Sequence, residues 1–488
     1  MNLEEYSALD AVALADLVRK KQVTPRELAE IALLAVDSVN GSLNAVLETF
    51  PDRVDEIPVS NSASPSLFGV PMLNKDVYGE AGRLLEMGSL LAKGMIASED
   101  SHLMSRLRSA GLINLGRTTT PEFAMATVTE SRIAGKTHNP WSLQRTPGGS
   151  SGGSAAMVAA GVVPIATASD GGGSIRSPAA HCGIVGLKPT RGRVSSGPDL
   201  SEPFGAMSVD FVVTRSVRDC AVVLDAVHGV IPRGAHGIPT QMRPFREELH
   251  APDRPLRIAY ATTAWSGESA DREGQRALTK TLKVLESGGH IVEEALPPID
   301  ATALSKATLD LVCANLVHQI SAIERAVSRQ ADSTTLQSAI LSFYRHGQRL
   351  SPAELTSALA TFKLLSHHVG HFFQRYDIFV TPTCMSVAPL IGELQCDSTD
   401  EVDAALWNDR MNAIDAFLGV FNVSGNPAIS LPLYASADGL PVGVQFVAPF
   451  GSEATLLQLG IFVEQEVPWQ ERRPPVHVSH AVERQRAR

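Results

Sequence analysis

Two clusters rich in glycine and serine hold the residues of this chain that are best suited to chemistry. The first runs from Gly148 to Ser154 and the second from Gly171 to Ser174, with small and apolar residues at positions 155–168 between them. Glycines permit positive φ angles and let backbone N–H groups converge on one point, and a serine beside them offers a hydroxyl nucleophile. Because the intervening run suits a helix and a strand inside a large core, we expect both clusters to lie close together at loop tips.

Three interpretations of this stretch compete. A flexible Gly/Ser linker is disfavoured because linkers are polar throughout, whereas this stretch has an apolar insert. A phosphate-binding Walker A loop needs Gly-Lys-Ser or Gly-Lys-Thr after its glycines, and neither follows here. For a serine hydrolase, Gly148 to Gly152 fits the G-x-S-x-G pattern. Residues 139–147, however, are not typical of the strand that precedes such an elbow, so a plain α/β-hydrolase is disfavoured.

The two clusters and the segments around them resemble the amidase signature family. The match includes residues 148–193, the segment from Gly69 to Asp76 upstream, and residues 421–430 and 438–445 downstream, so it runs nearly end to end. One departure is Gly171, at a position where family members often carry threonine or isoleucine. The resemblance implies an α/β fold in a single large domain, with a twisted mixed β-sheet sandwiched between helical layers.

The resemblance also implies a Ser–cis-Ser–Lys triad. The matching positions are Ser174 as the nucleophile, Ser150 as the bridging serine after a cis peptide bond, and Lys75 as the base. An ordinary lysine, with a pKa of about 10.4, is a poor base at neutral pH, but burial lowers that pKa because it disfavours the charged form. A neutral Lys75 would accept a proton from Ser150, which would accept one from Ser174.

Further site residues are expected around the triad. The backbone N–H groups of Gly171, Gly172 and Gly173 are predicted to form an oxyanion hole. The residues expected beside the triad or in the substrate pocket are Ser151, Asp170, Arg176, Ala124, Met125, Cys313 and Asp415. His181 is expected to pack near the site and not to act as a base, because the family uses no histidine.

Composition disfavours several other classes of function. With 488 residues, 44% hydrophobic residues and a formal net charge of −10, the chain suits a large globular enzyme and not a nucleic-acid-binding protein. No apolar run reaches the length of a membrane span, and residues 1–5 do not begin a secretory signal. The five cysteines are scattered, odd in number and without metal-ligand spacing, which predicts reduced thiols in a cytoplasmic protein and no metal site. No cofactor is expected either. The expected partner is a small-molecule amide substrate, and a homodimer is the assembly to test.

The elements that must position these residues are predicted to form one domain over residues 1–488. Its parts are an N-terminal helical arm (1–66), a catalytic core (67–300), a variable helical segment that shapes the substrate pocket (302–375) and the C-terminal part of the core (376–467). Residues 51–66 are expected to be loop, and the tail after Pro468 to be ordered only in part.

Individual elements follow from local patterns. The segment Thr24-Pro25-Arg26-Glu27 predicts a capped helix start, with the helix continuing to about Val39. Residues 67–77 predict a strand whose end carries Lys75, and Val212 to His228 are predicted to form a helix.

Three branches of the family are compatible with the sequence. Residues 421–432, 442–451 and 468–474 resemble the enzymes that open the cyclic dimer of 6-aminohexanoate. General acylamidases, aryl acylamidases and urethane-cleaving relatives form a second branch, which the sequence does not separate from the first. The third branch is the glutamine-hydrolysing A subunit of the tRNA-dependent amidotransferase, whose substrate-binding aspartate Asp415 would match. This branch is disfavoured because the segment before Tyr376 lacks the tyrosine-rich sequence associated with it.

A hypothesis from another class is a catalytically inactive scaffold on the same fold. The presence of Lys75, Ser150 and Ser174 together argues against it.

Overall fold

In the residues that the structure describes, an eleven-stranded mixed sheet is flanked by helices, which confirms the predicted α/β fold. The structure is a computed structural model, and it describes residues 1–57, 65–198, 203–229, 238, 241–398 and 402–480. Much of the loop predicted at 51–66, and the end of the tail predicted to be partly ordered, lie outside the described residues.

The described part of the chain contains these strands: β1 (Val46–Thr49), β2 (Pro71–Lys75), β3 (Ile113–Thr118), β4 (Glu130–Ser131), β5 (Gly135–Lys136), β6 (Ile165–Asp170), β7 (Val185–Lys188), β8 (Val209–Thr214), β9 (Arg257–Tyr260), β10 (Ile291–Glu294), β11 (Ile378–Pro382), β12 (Ala428–Ala435) and β13 (Pro441–Val447). The large sheet has the order β1-β3-β2-β6-β8-β7-β12-β13-β11-β9-β10, and β4 and β5 form a separate ribbon.

The helices in the same residues are α1 (Leu3–Ala8), α2 (Ala11–Arg19), α3 (Pro25–Leu43), α4 (Arg53–Glu56), α5 (His102–Ser109), α6 (Gly152–Ala159), α7 (Arg176–Cys182), α8 (Pro203–Ala206), α9 (Val217–Val227), α10 (Arg272–Ser287), α11 (Ala301–Val327), α12 (Ser338–Arg349), α13 (Pro352–Phe372), α14 (Ala404–Ile414), α15 (Gly419–Val423) and α16 (Glu453–Glu466). Two 3₁₀ turns lie at Glu122–Ala124 and Phe245–Glu248.

The carboxyl ends of three neighbouring parallel strands lie at one edge of the sheet. β2 pairs in parallel with β3 and with β6, and Lys75 is opposite Thr118 while Leu73 is opposite Ala166. Ligand sites in α/β sheets lie outside the carboxyl ends of the strands. Since Lys75 ends β2 and Asp170 ends β6, these strands bring the segments of the predicted triad to the same edge.

Between the two Gly/Ser clusters the chain forms the predicted helix and strand. Every residue of α6 is buried, and in β6 every residue is buried except Ser169, which is partly exposed. A helix made of small and apolar residues has no polar face to present to water, so it is stable only when it is enclosed. The first cluster leads into α6 and the second follows β6, so this buried helix and strand hold both clusters in place.

The N-terminal arm contributes to the sheet as well as covering it. The predicted capping box is present, because the Thr24 side chain accepts from the Glu27 N–H and the Glu27 side chain accepts from the Thr24 N–H. The helix continues to Leu43, beyond the predicted end, and β1 then pairs with β3 as an edge strand of the large sheet. Within the predicted loop at 51–66 the chain forms the one-turn helix α4.

The prediction of one helix from Val212 to His228 is wrong. β8 continues through Thr214, and α9 begins only at Val217. The residues of β8 are mostly β-branched or aromatic, which favours a strand, and they pair with β6 and β7. The Ser216 side chain then accepts from the Asp219 N–H and caps the helix.

The segment 302–375 is helical, as predicted, and consists of α11, α12 and α13. Its buried apolar residues belong to three clusters that lie apart from the main core. In the part of the chain that the structure describes, no helix combines the length and apolar character needed to cross a membrane.

Candidate active site

Lys75 is fully buried at the end of β2 and is surrounded by serine hydroxyls. Its Nζ atom lies 2.7 Å from Ser150 Oγ, 2.9 Å from Ser169 Oγ and 3.0 Å from Ser151 Oγ. Its backbone N–H donates to Thr167 Oγ1 at 2.7 Å, which fixes the end of the strand. The fold therefore brings Lys75 and Ser150, which are 75 residues apart, into direct contact.

Burial sets the protonation of Lys75. Loss of hydration lowers the pKa of its ammonium group to about 7, although the charges of Asp210 and Asp170 act in the opposite direction. Asp210 is opposite Ser169 in the ladder between β6 and β8, and the Tyr78 hydroxyl lies 2.9 Å from its carboxylate. A pKa near 7 leaves a substantial fraction of neutral amine at neutral pH, and only the neutral amine accepts a proton.

The loop before α6 is fixed by close backbone contacts. The Gly149–Ser150 peptide bond is cis, as the family resemblance implied. A Cβ at Gly149 would lie 2.7 Å from the carbonyl oxygens of Ala126 and Val128, so only glycine fits there. The Thr129 hydroxyl donates to Gly148 O at 2.7 Å, and the Thr120 hydroxyl donates to Ser150 O at 3.0 Å.

The second cluster is closed by a buried ion pair between Asp170 and Arg176. The guanidinium donates to both carboxylate oxygens at 2.9 Å, and both side chains are fully buried. Asp170 Oδ2 also accepts from the backbone N–H groups of Ile175 at 3.1 Å and of Arg176 at 3.4 Å. The two ends of the loop 171–175 are therefore tied to one carboxylate.

Every nitrogen of the Arg176 guanidinium has a partner. Besides Asp170, it donates to Gln445 Oε1 and Asn422 Oδ1, both at 2.6 Å, and to Leu418 O at 3.1 Å. Burial by itself would raise the pKa of Asp170, but the charge and hydrogen bonds of Arg176 outweigh it and hold that pKa at about 2. The pair is thus ionised at every pH at which an amidase would be assayed.

Replacing Arg176 by methionine should destabilise the protein, because Asp170 would become a buried charge without a partner. Breaking such a pair costs about 3–5 kcal/mol, which for a chain of this length lowers Tm by about 3–5 °C. Differential scanning calorimetry measures the change. The matched control is Arg26→Met, which removes an exposed pair with Asp55 and should leave Tm nearly unchanged. Equal shifts in the two variants would contradict a structural role for Arg176.

The loop between the ion-paired residues presents backbone N–H groups that have no protein acceptor. Within the described residues, the N–H groups of Gly171, Gly172, Gly173 and Ser174 donate no hydrogen bond. A Cβ at Gly172 would meet no atom within 4 Å, so the space in front of it is open. Gly173 has φ +144°, and a Cβ there would lie 2.6 Å from Leu418 Cδ1, which requires glycine. These N–H groups have the character of an oxyanion hole.

Ser174 lies between this loop and α7, and its side chain is partly exposed. Within the described residues its hydroxyl makes no hydrogen bond, so the contact with Ser150 that the relay needs is not formed here. Catalytic hydrogen bonds in ligand-free enzymes are often long and shorten when substrate binds. The first cluster nevertheless packs against the helix that follows Ser174, because a Cβ at Gly148 would lie 3.0 Å from the Cα of Pro178 in α7.

The profile of the Amidase family matches residues 27–457, which covers the whole of this site. The chain belongs to the amidase signature family. It is an amide-hydrolysing enzyme, and the resemblance seen in the two Gly/Ser clusters is confirmed.

Individual relatives match over nearly their whole length. The chain is 33% identical over 476 residues to the 6-aminohexanoate-cyclic-dimer hydrolase of Pseudomonas sp. (strain NK87), covering 95% of this chain and 96% of that one. The solved structure of a 6-aminohexanoate cyclic dimer hydrolase superposes with a TM-score of 0.91 at 32% identity, covering 96% and 99% of the two chains. The glutamyl-tRNA(Gln) amidotransferase of Neisseria meningitidis serogroup A / serotype 4A (strain DSM 15465 / Z2491) has an A subunit that is 30% identical, covering 94% and 98%.

The other residues predicted to line the substrate pocket of this amidase include Ala124, Met125 and Cys313. Ala124 ends a 3₁₀ turn and is half-buried, and Met125 beside it is buried. Cys313, in α11, is fully buried in the same apolar cluster as Met125, and burial raises the pKa of its thiol well above the usual range. Packing accounts for Cys313 in this structure, and contact with substrate stays a prediction.

Asp415 follows α14 and lies beside the second cluster. A Cβ at Gly173 would lie 3.3 Å from Asp415 Oδ2. The carboxylate is buried, and burial raises its pKa to about 7 although Ser177 and Cys384 oppose the shift. Neither oxygen has a partner in hydrogen-bonding geometry within the described residues.

His181 packs near the site, as predicted, and does not contact the serines of the triad. It lies in α7, and a Cβ at Gly148 would lie 2.9 Å from its Cδ2 atom. Burial lowers the pKa of its imidazole to about 4, so the ring is neutral at neutral pH.

Sequence reasoning missed Ser169, Thr167 and Thr120, which position Lys75 and Ser150. Thr167 and Ser169 are two residues apart in β6, so their side chains point to the same face of the strand, toward Lys75. Polar residues at alternate positions in an otherwise apolar strand are the signal that would have found both. No comparable signal marks Thr120.

Proposed function

We propose that this enzyme hydrolyses amides through an acyl-enzyme on Ser174, with Ser150 as the relay and Lys75 as the base. The observation that carries the proposal is the buried Lys75 amine, 2.7 Å from Ser150 Oγ and with a pKa of about 7. General base catalysis is most efficient when the pKa of the base lies close to the working pH.

The hydrogen bonds around Lys75 suggest how its protons are arranged. A neutral amine has two N–H groups and one lone pair, and three hydroxyls surround Nζ. The Ser151 hydroxyl donates to Ser169 O at 3.3 Å, so towards Lys75 it acts as an acceptor. Ser150 is then free to donate its proton to the lone pair. As Ser174 attacks the carbonyl carbon, its proton moves to Ser150 Oγ and the Ser150 proton moves to Lys75 Nζ.

The remaining steps follow from the same groups. The carbonyl oxygen becomes negatively charged in the tetrahedral intermediate, and the unbonded N–H groups of Gly171 to Ser174 stabilise it. The protonated Lys75 returns its proton through Ser150 to the leaving nitrogen, and the C–N bond breaks. Water then attacks the Ser174 ester, and its proton passes through Ser150 to Lys75. A proton returns by the same path to Ser174 Oγ as the ester C–O bond breaks, which releases the acid and restores the free serine.

The substrate class proposed is an amide whose leaving amine is larger than ammonia: an acylamide, an aryl acylamide, a cyclic amide or a carbamate. A Cβ at Gly171 would lie 3.4 Å from the ring of Phe204, and this ring packs against two of the three apolar clusters to which the helical segment contributes. The half-buried Phe204 places an apolar surface beside the oxyanion loop. The 6-aminohexanoate-cyclic-dimer hydrolase, whose name states a cyclic substrate, supports this class.

A comparison of an anilide with the primary amide of the same acyl group tests the substrate class. We expect a higher kcat/KM for the anilide, because burying a ring on apolar surface contributes about 25 cal/mol per Å². Aniline also leaves more readily than ammonia, so the ratio of the two kcat/KM values is compared between the wild type and Phe204→Ala. The variant should lower that ratio about five- to thirty-fold, the effect of about 1–2 kcal/mol of apolar contact.

Leu390→Ala serves as the control, because Leu390 is an exposed leucine and its loss should leave the ratio unchanged. A primary amide preferred by tenfold or more would contradict the proposal. The glutamine-hydrolysing A subunit of a tRNA-dependent amidotransferase, which the 30% identical relative favours, would then be the better assignment. Absence of labelling by a fluorophosphonate probe would instead indicate an inactive scaffold.

The cytoplasmic location and the homodimer stay predictions. All five cysteines are free thiols and all are buried, as expected of a protein in a reducing compartment. Sedimentation of the purified enzyme would test the homodimer.

A further inference from the structure

A buried group of three potential metal ligands lies outside the proposed triad. It consists of His181 in α7, Cys384 after β11 and Asp415 after α14. One ligand atom from each residue lies within 4.8 Å of the others, and all three side chains are buried. We call this group the His-Cys-Asp cluster.

The polar atoms of the cluster lack the partners that buried groups normally have. His181 Nε2 and both carboxylate oxygens of Asp415 have no partner in good hydrogen-bonding geometry within the described residues, and the groups that interact with the Asp415 carboxylate are the Ser177 hydroxyl and the Cys384 thiol. His181 is 1% exposed and Asp415 is 6% exposed, so water does not replace the missing partners at the surface. Leaving a buried carboxylate or imidazole without good hydrogen bonds destabilises the fold, so this arrangement favours a bound ligand.

A small cavity reaches two members of the cluster. Its walls include His181, Cys384, Asp271, Ser386 and Gly443, and it has about 10 Å³ available to the centre of a water-sized sphere. That is room for about one water molecule or one metal ion. The exposed Ser386 also lines this cavity, so it lies near the surface on the side of His181 and Cys384.

We propose that the His-Cys-Asp cluster binds a thiophilic divalent cation, with Zn²⁺ as the best fit. Imidazole nitrogen, thiolate sulfur and carboxylate oxygen are the three donor types that zinc accepts, and three protein ligands leave a fourth position for water or for the Ser177 hydroxyl. The Ser177 hydroxyl lies 3.6 Å from the Cys384 sulfur. Binding exchanges the thiol proton, which leaves to solvent, for the metal–sulfur bond.

The geometry needs only a small adjustment. Ligand atoms around a tetrahedral zinc lie roughly 3.3–3.8 Å apart. The ligand atoms of the cluster lie within 4.8 Å of one another, so side-chain rotations that move them by about 1 Å would bring them to that spacing. The site adjoins the oxyanion loop through Asp415 and Gly173. No step of the proposed hydrolysis uses the metal, so this proposal does not depend on the catalytic one.

Metal binding to the purified full-length enzyme tests the proposal. We expect one equivalent of Zn²⁺ in equilibrium dialysis, and one equivalent of Co²⁺ with a sulfur-to-cobalt charge-transfer absorption. Cys384→Ser should abolish that absorption and weaken Zn²⁺ binding by more than the roughly 10–100-fold that loss of an outer partner costs. His181→Asn should weaken binding to a similar extent, and it provides a second test if Cys384→Ser does not fold.

The matched control is Cys220→Ser. Cys220 is also fully buried, but it lies in α9 and contacts Thr214, outside the cluster. This variant should keep the absorption and the affinity. The proposal would be overturned if the wild type bound Zn²⁺ no more tightly than Cys384→Ser. It would also be overturned if the Co²⁺ form of the wild type lacked the sulfur-to-cobalt absorption. A buried water between the three side chains would then explain the unpaired atoms.

Discussion

Replacement of Ser174 by alanine is expected to lower kcat by about 10⁴-fold or more while leaving the fold intact. Removing a nucleophilic serine has an effect of this size because the covalent route is lost and only binding and the oxyanion hole remain. Steady-state hydrolysis of the best anilide measures the loss. The side chain is partly exposed and makes no hydrogen bond within the described residues, so Tm should not change.

Covalent labelling separates a lost nucleophile from a damaged site. A fluorophosphonate should modify the wild type on the peptide that contains Ser174, and Ser174→Ala should stay unlabelled. Ser266→Ala is the matched control, because Ser266 is exposed and far from the clusters in sequence, and it should keep full labelling and activity. Substantial turnover by Ser174→Ala would remove Ser174 from the mechanism.

The dependence of activity on pH is the second large effect expected, and it reports on Lys75. Because the neutral amine is the active form, kcat/KM should rise with pH and level off above an apparent pKa of about 7. Below that pKa the rate should fall about tenfold for each pH unit, since each unit reduces the neutral fraction tenfold. Initial rates from pH 5 to pH 9 measure this limb.

Lys75→Met should remove both the activity and this limb of the pH profile. The variant keeps an unbranched side chain of similar length in the buried position, so a loss of about 10³-fold or more would reflect the base and not the packing. Lys280→Met, at an exposed lysine in α10, is the control and should keep the wild-type profile. A Lys75→Met enzyme that retained the rise near pH 7 would show that another group titrates.

Elements that depend on neighbouring residues were predicted correctly from the sequence, whereas an element that depends on distant partners was not. Local patterns predicted the capped start of α3, the strand that ends at Lys75 and the helices of residues 302–375, because caps and hydrophobic periodicity act within a few residues. The segment from Val212 to His228 failed because its first residues pair as β8 in the sheet, and partners 40 to 50 residues away decide that conformation.

Some residues of the candidate site were likewise predictable from the sequence, and others were not. The glycine and serine clusters pointed to the family and to Ser150 and Ser174, because a loop that approaches a reacting carbonyl needs glycines at fixed places. The resemblance over Gly69 to Asp76 supplied Lys75. The hydroxyl of Ser169, which completes the contacts of Lys75, escaped notice because an isolated serine in a strand has many ordinary roles.

The sequence by itself therefore determined the family and the α/β class, and it supplied the residues proposed to carry out amide hydrolysis. Those properties reside in residue identities and short spacings. Only the tertiary structure decided the pKa of Lys75, because burial and the distances to Asp210 and Asp170 set it. It also decided that His181, Cys384 and Asp415 meet, since more than 200 residues separate the first from the other two. The packing of distant segments decides how far a side chain is shielded from water and which side chains meet. Residues that are neighbours along the chain do not reveal either.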